Sequence, residues 1–502
     1  MSRLRPLLPW GGLVAYCAIL FFPFLGARDL TSSHEARAAQ DAQMILDSGS
    51  WLVPRLFDQH LELQKPPLYY WLVATLGWLN GGRVDVWAVR LPAALSAVGC
   101  VVFLYLFGLR VKRPLAGLFA GLILASCLHF TWLAQVGRID MPLTLTITVA
   151  LGAFYLGTVE EGFRQRWHAL GYLALAAGLL LKGPIAAVLP AVVVGVAWLL
   201  RSRQIDWRSN TLLWGVPLML AIAAPWYVFA NWHTQNQLWE VFFWYHNVER
   251  GLGGSETLAT HPWWFYGPRM GIDLLPWSLA IPIALAWFFR NRESRKDELA
   301  WVGLIWFLAI AGFLSLMRFK RADYLLPAYP GMALFLAACA DRWRIQRSEL
   351  ESQRSDHVSL ACASHSVRKV AMICAFYALG WLTYNTWCMG TEDRIWPYRT
   401  MAQEIRNQTR GPVVFFRAES HLLGFHLGHP VTTILEWENL EIWANRPFPV
   451  YFVMPSACAA EWREHLTSVP LEEVLRTTDY VGGNRDRPLV VLRSPGNPCP
   501  TP

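Results

Sequence analysis

Eleven apolar runs of about fifteen to twenty residues recur along the chain, at 7–26, 91–109, 115–135, 141–158, 168–182, 184–200, 211–231, 271–289, 299–316, 324–340 and 369–388. A helix needs roughly 17–25 apolar residues to cross a bilayer, and inside lipid every backbone polar group must be satisfied within the protein. The runs therefore predict a polytopic α-helical membrane protein with about 11–13 transmembrane helices. Composition agrees: the 502 residues are 54% hydrophobic and only 16% charged, against about 25% charged in soluble proteins. Arg3 and Arg5 precede the first run, which has the outline of a signal peptide. Ten further spans behind it favour an uncleaved anchor.

Basic loops orient the spans. RVKRP (110–114), FRQRW (163–167), LRSRQIDWR (200–208), FRNRESRK (289–296) and DRWRIQR (341–347) all fall on one side if the runs alternate. The segment PPLYYWLVATLGWL (66–79) must then not cross alone, and it reads as a short, partly inserted helix. The net charge of +8 thus reflects topology. Basic residues scattered over loops, with no interleaved basic–aromatic patch, exclude a nucleic-acid partner.

The opposite face receives 27–90, the junctions 136–140 and 317–323, the loop 232–270, and a tail from about 389. The tail has short β-like runs, PVVFF (412–416), PVYFVM (449–454) and RPLVVLR (487–493), with helical stretches and Pro/Gly punctuation between them. The expected division is 1–388 as the transmembrane catalytic domain, including outer loops 27–90 and 232–270, and 389–502 as a small extracytoplasmic α/β domain. Of nine cysteines only Cys458 and Cys499 lie clearly in the tail, which leaves a disulfide there weakly indicated. No Walker loop, GxSxG, dinucleotide fingerprint, metal-type Cys/His spacing or internal repeat is present. An ATP-driven pump and a repeat-built transporter gain no support.

The outer polar residues are the informative ones, because charges near a bilayer are costly and mark function. Ser32 and Glu35 fit a capping box, and Ala38, Ala39, Ala42, Ile45 and Leu46 form one apolar helical stripe with Glu35 near its middle. His34, Arg37, Arg55, Lys65, Arg138, Asp140, Lys182, His246, Glu249, Arg250, His261, Lys320, Arg321 and Asp323 share that membrane level. A cavity lined by cations and carboxylates, open to lipid and water, suits an anionic lipid-linked substrate. Lys and Arg would hold a phosphate, and a carboxylate or imidazole would take a proton from an acceptor. Bland roles stand beside these: Asp140 as a helix cap, Lys182 as a snorkelling lysine before Gly-Pro, and Tyr324 as an interface aromatic.

HEARAA (34–39), GSWLVP (49–54) and QKPPLYYW (64–71), with RIDMPLT (138–144), LLLKGPIAAVLP (179–190) and KRADYLLPAYP (320–330) further on, form an ordered set. The set resembles the family 39-type membrane glycosyltransferases, the group that includes protein O-mannosyltransferases and the aminoarabinose transferase that modifies lipid A. The resemblance implies a GT-C fold with its active site in extracytoplasmic loops. It implies inverting transfer of a sugar from a polyprenyl (undecaprenyl) phosphate donor to a lipid, glycan or protein acceptor, at the periplasmic face of the inner membrane. Lys65 at the KPP motif is the first choice for the leaving phosphate, with Arg37, Arg55, Arg138 and Lys320 as helpers. Glu35, His34 and Asp140 are the acid–base candidates, and Tyr69, Tyr324 and Lys182 the substrate contacts.

Two positions depart from the family pattern. The family aspartate proposed as base is His34 here, and the glutamate before the motif lysine is Gln64. Some relatives use that carboxylate near a divalent metal. No cofactor is therefore expected to be required, and a metal would fall to His246 and His261. The contrasting functions are a lipid or solute transporter and a non-catalytic relative that binds polyprenyl phosphate.

Overall fold

Helix breaks decide how the apolar runs are used. The structure, a computed structural model, describes residues 7–30, 32–57, 60–200, 211–249, 260–352, 370–387, 398–409, 411–418, 421–466, 469–481 and 484–496. The side chain of His246, and Arg250 and Cys499, lie outside the described residues, so the metal and disulfide expectations resting on them do too. Among those described, five helices are long and apolar enough to span a membrane: Val86–Arg110, Asp140–Val159, Thr211–His233, Glu298–Leu316 and Ala322–Glu349. Two bent pairs add up to two further spans, and Trp10–Phe21, Leu68–Leu79 and Ile185–Leu200 are shorter apolar helices.

The run at 115–135 is not one rod. Pro114–Ala125 and Leu128–Ala134 meet at 71°. Hydroxyls that bond back to the preceding turn bend helices, and the hydroxyls on both sides of this break do so. Ser126 Oγ donates to Leu122 O at 2.6 Å, and Thr131 Oγ1 donates to Ala125 O at 2.7 Å. The run at 271–289 is likewise divided: Trp263–Asp273 and Trp277–Arg290 meet at 113°. Each break satisfies the other. Leu128 N–H donates to Leu275 O at 2.9 Å, and Trp277 Nε1–H to Ser126 Oγ at 2.9 Å. Such pairing is what permits irregular backbone at membrane depth.

The chain forms two compact units. The first comprises residues 1–25, 63–69 and 90–384, and the second 26–62, 70–89 and 385–502. Residues 26–62 and 70–89 of the first loop are thus grouped with the tail, and 63–69 with the spans. In the first unit Glu298–Leu316 and Tyr329–Ser352 cross so closely that a Cβ on Gly303 would stand 2.5 Å from Phe335 N and 2.6 Å from Gly331 O. Small residues at such crossings replace the hydrophobic drive that lipid cannot supply. At the end carrying the basic loops, Arg113 joins Asp297 (3.1 Å) and Asp341 (2.6 Å).

The second unit contains a five-stranded sheet in the order β2-β1-β3-β5-β4, with β1 Val413–Phe416, β2 Thr432–Ile434, β3 Tyr451–Pro455, β4 Glu472–Val481 and β5 Asn484–Arg493. β1 pairs in parallel with β2 and β3, while β5 runs antiparallel to β3 and β4. Phe416, Phe452, Met454, Leu440 and Val490 lie in its core. Helix Ser33–Ser48 starts at Ser32, whose hydroxyl accepts from Glu35 N–H at 3.3 Å. It packs on helix His421–Leu427, where Gln40 Nε2 donates to His421 O at 2.8 Å.

Gly303→Val should cost about 1–3 kcal/mol by forcing the crossing helices apart. Gly312→Val, where nothing lies within 4 Å of the Cβ position, should cost far less. Thermal unfolding of the two purified variants, compared with the parent, checks this.

Candidate active site

Five separated segments of the first unit supply one buried polar cluster. The short helix after the first break carries His129, and the helix before the second break ends at Asp273. Arg138 and Asp140 come from the GRID turn and the start of Asp140–Val159. Lys182 is the last residue of helix Arg164–Lys182, which stops at Gly183. That glycine has φ +80°, and a Cβ there would meet Phe242 Cζ at 2.4 Å, so the turn that presents Lys182 requires glycine. Asp323 and Tyr324 lie in the 3-10 segment Ala322–Ala328, and Tyr329 opens the following helix.

The contacts run as a chain. Arg269 pairs with Asp273 at 2.8 Å. The Tyr329 hydroxyl donates to Asp273 Oδ2 at 3.3 Å and lies 3.1 Å from His129 Nδ1. His129 Nε2 is 3.2 Å from Asp323 Oδ1, and Asp323 also pairs with Arg138. Arg138 Nε is 3.7 Å from Asp140, whose other oxygen pairs with Lys182. Lys182 Nζ lies over the Tyr324 ring, 4.3 Å from its centre. Asp140 does not cap its helix with its side chain; both its oxygens face cations.

His129 links two of the carboxylates: Nε2 faces Asp323 directly, and Nδ1 faces the Tyr329 hydroxyl, which reaches Asp273. Arg269, Arg138 and Lys182 face the same three carboxylates, Asp273, Asp323 and Asp140. In a poorly solvated site such charges are tolerable only when they are paired.

The remaining sequence candidates are placed as follows. Lys65 and the buried Tyr69 belong to this same unit, and Lys65 is half-buried. Lys320 is buried, and its ammonium donates to the His261 (2.9 Å) and Met317 carbonyls. Burial holds its pKa below the usual lysine value. It therefore ties down the 317–321 turn. His34, Glu35, Arg37 and Arg55 belong to the second unit. There Glu35 is fully buried while His34 is exposed. Arg37 pairs with the buried Glu62; burial opposes its charge, but Glu62, Tyr70 and Asp41 together outweigh that and raise its pKa. Arg55 is half-buried and bridges Leu61 through its backbone.

His129, Asp273 and Tyr329 received no role from the sequence, and Asp323 was only counted among the outer charges. The available signal was a lone ionisable residue inside an apolar run, LHFTW for His129 and GIDLLP for Asp273.

Comparison with known proteins follows the same segments. Residues 64–229 match the family model described as dolichyl-phosphate-mannose-protein mannosyltransferase; that stretch holds Lys65, His129, Arg138, Asp140 and Lys182. An undecaprenyl phosphate-alpha-4-amino-4-deoxy-L-arabinose arabinosyl transferase of Pseudomonas fluorescens is 28% identical over 67% of this chain and 58% of its own length. Its Pseudomonas aeruginosa counterpart is 30% identical over 67% of this chain and 60% of its own length. The chain thus spans about three fifths of the length of these curated relatives. The crystal structure of ArnT from Cupriavidus metallidurans bound to undecaprenyl phosphate superposes with a TM-score of 0.78 at 21% identity, covering 96% of this chain and 97% of that one. The oligosaccharyltransferase AglB of Archaeoglobus fulgidus gives 0.56 at 12% identity, covering 92% and 72%. The fold is GT-C.

Removing one partner of a buried ion pair leaves a charge uncompensated and costs about 3–5 kcal/mol. Asp140→Leu and Lys182→Met should each destabilise the protein strongly, and the two combined should recover most of the loss. A double-mutant cycle on thermal stability checks the coupling.

Proposed function

Because the chain belongs to the family 39-type GT-C membrane glycosyltransferases, we propose that it transfers a sugar from a polyprenyl-phosphate donor to an acceptor on the membrane face that carries the charged cluster. The observation that carries the proposal is the convergence of Arg269, Arg138, Lys182 and His129, from separate segments, on three carboxylates in one buried cluster. Guanidinium and ammonium groups held together in this way are the chemistry that grips an anionic lipid phosphate. The named activity of the relatives makes an undecaprenyl-phosphate-linked amino sugar the donor to test; the family resemblance makes lipid A the acceptor to test, with glycans and proteins as other acceptor classes.

Within this proposal Lys182 and Arg138 meet the donor phosphate, with Lys65 and Tyr324 beside them. As the glycosidic bond breaks, charge develops on the leaving phosphate, and fixed cations stabilise it. Asp140 and Asp323 are each held against cations, so their task is to position Lys182 and Arg138. Glu35, with His34 next to it, is the proposed proton acceptor for a hydroxyl acceptor; an acceptor that is already a phosphate anion needs no strong base. Arg37, Arg55 and Lys320 are further proposed phosphate contacts and Tyr69 a substrate contact. No metal step is invoked.

We place the protein in the inner membrane with the cluster and the 389–502 domain in the periplasm. The basic loops support this. Helix Asp140–Val159 runs from the cluster to the loop with Arg164 and Arg166, and Glu298–Leu316 runs back from Arg295 and Lys296 toward Lys320. Cations concentrate on the end away from the cluster, as they do on cytoplasmic sides.

Full-length protein in lipid nanodiscs, given undecaprenyl phosphate linked to labelled 4-amino-4-deoxy-L-arabinose together with lipid A, should transfer label to lipid A. Lys65→Ala should lower kcat by about 10²–10³-fold while insertion stays intact. Donor binding without transfer to any lipid, glycan or protein acceptor would refute the enzyme and favour a lipid-binding relative.

A further inference from the structure

His129 is a costly residue in an apolar place. It sits in the stretch LHFTWLA, on the short helix Leu128–Ala134, and is only 6% exposed. An imidazole buried among apolar side chains costs free energy unless its nitrogens are bonded. Here both are answered: Nδ1 lies 3.1 Å from the Tyr329 hydroxyl and Nε2 lies 3.2 Å from Asp323 Oδ1. The ring also stacks on Trp132 at 5.8 Å, which fixes the direction in which Nε2 points.

The contact with Asp323 sets an orientation. The backbone around that residue is already held on both sides: the Tyr266 hydroxyl donates to Arg321 O at 3.2 Å, and Trp306 Nε1–H donates to Pro327 O at 2.9 Å. Backbone alone does not set the plane of a carboxylate, because the terminal torsion of aspartate is broad. Bonds to its two oxygens do. Arg138 takes Oδ2 and His129 takes Oδ1. A carboxylate paired with a guanidinium is an acceptor, so the hydrogen of the His129 contact belongs to Nε2.

Asp140 is held differently. Its two oxygens face Arg138 and Lys182, both proposed phosphate contacts, whereas Asp323 gives one oxygen to such a cation and the other to His129. Behind the imidazole, the Tyr329 hydroxyl is 3.3 Å from Asp273 Oδ2, and Arg269 holds that carboxylate at 2.8 Å. Both ring nitrogens are thus turned to protein groups, and the ring braces Asp323.

We propose that His129 is a positioning residue for the transfer reaction. By holding Asp323 Oδ1 it sets the plane of the carboxylate whose other oxygen orients Arg138. Through Arg138 it sets how the leaving phosphate is met as charge develops there. This role presupposes that Arg138 contacts the donor phosphate, as proposed above. A slightly misdirected cation still attracts a bound phosphate but stabilises the transition state less well, so the loss falls on kcat more than on KM.

Full-length protein in nanodiscs, with the labelled undecaprenyl phosphate donor and lipid A, reads both parameters. His129→Leu, which has no donor, should lower kcat by about 10–10²-fold and leave the donor KM within about twofold. His129→Gln, whose amide N–H reaches the place of Nε2, should keep at least about a third of the parent kcat. A cycle with Arg138→Gln separates positioning from packing. If His129 acts through Arg138, adding His129→Leu to Arg138→Gln should cost no more than about twofold further. Tyr329→Phe, which removes only the hydroxyl behind the ring, takes its place in the same cycle should His129→Leu fail to fold. Losses that multiply across the cycle, a His129→Gln rate as low as that of His129→Leu, or a parental kcat in His129→Leu would overturn the positioning role and leave the transfer proposal intact. A parent protein that neither binds nor transfers the donor would refute the transfer proposal, and the positioning role with it.

Discussion

The ion pairs of Asp140 and Asp323 with Lys182 and Arg138, and the contact of Asp323 with His129, are what the first unit turns on. At a poorly solvated membrane level none of these charges is tolerable alone. Each is tolerable because residues far apart in sequence arrive at the same depth. His129 and Asp323 are separated by 194 positions, Arg138 and Asp323 by 185. The helices that bring them are therefore constrained in both depth and rotation, and their apolar faces follow.

Two broken helices make the convergence possible. Had 115–135 been straight, His129 would sit in a continuous span; the 71° bend gives its short helix an independent direction. The second break ends a helix at Asp273, so that its carboxylate meets Tyr329 and Arg269. The two breaks are tied by one backbone bond, Leu128 N–H to Leu275 O, and one side-chain bond, Trp277 Nε1–H to Ser126 Oγ. Function and irregularity thus share one physical origin: a site at membrane depth needs polar groups, and freed backbone is tolerated only where protein answers it.

Much of the outline was legible. Long apolar runs became helices, and the apolar β-like runs became β1, β3 and β5. β2 is three residues of Thr-Thr-Ile at a sheet edge, and β4, the other edge, begins Glu-Glu; neither has the apolar pattern of a central strand. Arg138, Asp140, Lys182 and Tyr324 were legible as polar residues at span ends, and the structure brings them together. His129 and Asp273 were hidden because each lies within a run whose hydropathy it barely alters. The grouping of helix Ser33–Ser48 with the tail was not legible either. The capping box and buried Glu35 are local facts, but the partner helix lies at 421–427.

Hydropathy accumulates locally along the chain, so sequence alone determined that the protein crosses a membrane, where its runs begin and end, and which charges stand at their rims. It could not determine where a run bends, which carboxylate answers which cation, or which aromatic rings pack against its glycines. Those outcomes depend on side chains from distant segments competing for the same space and the same hydrogen bonds, and only the folded arrangement resolves that competition.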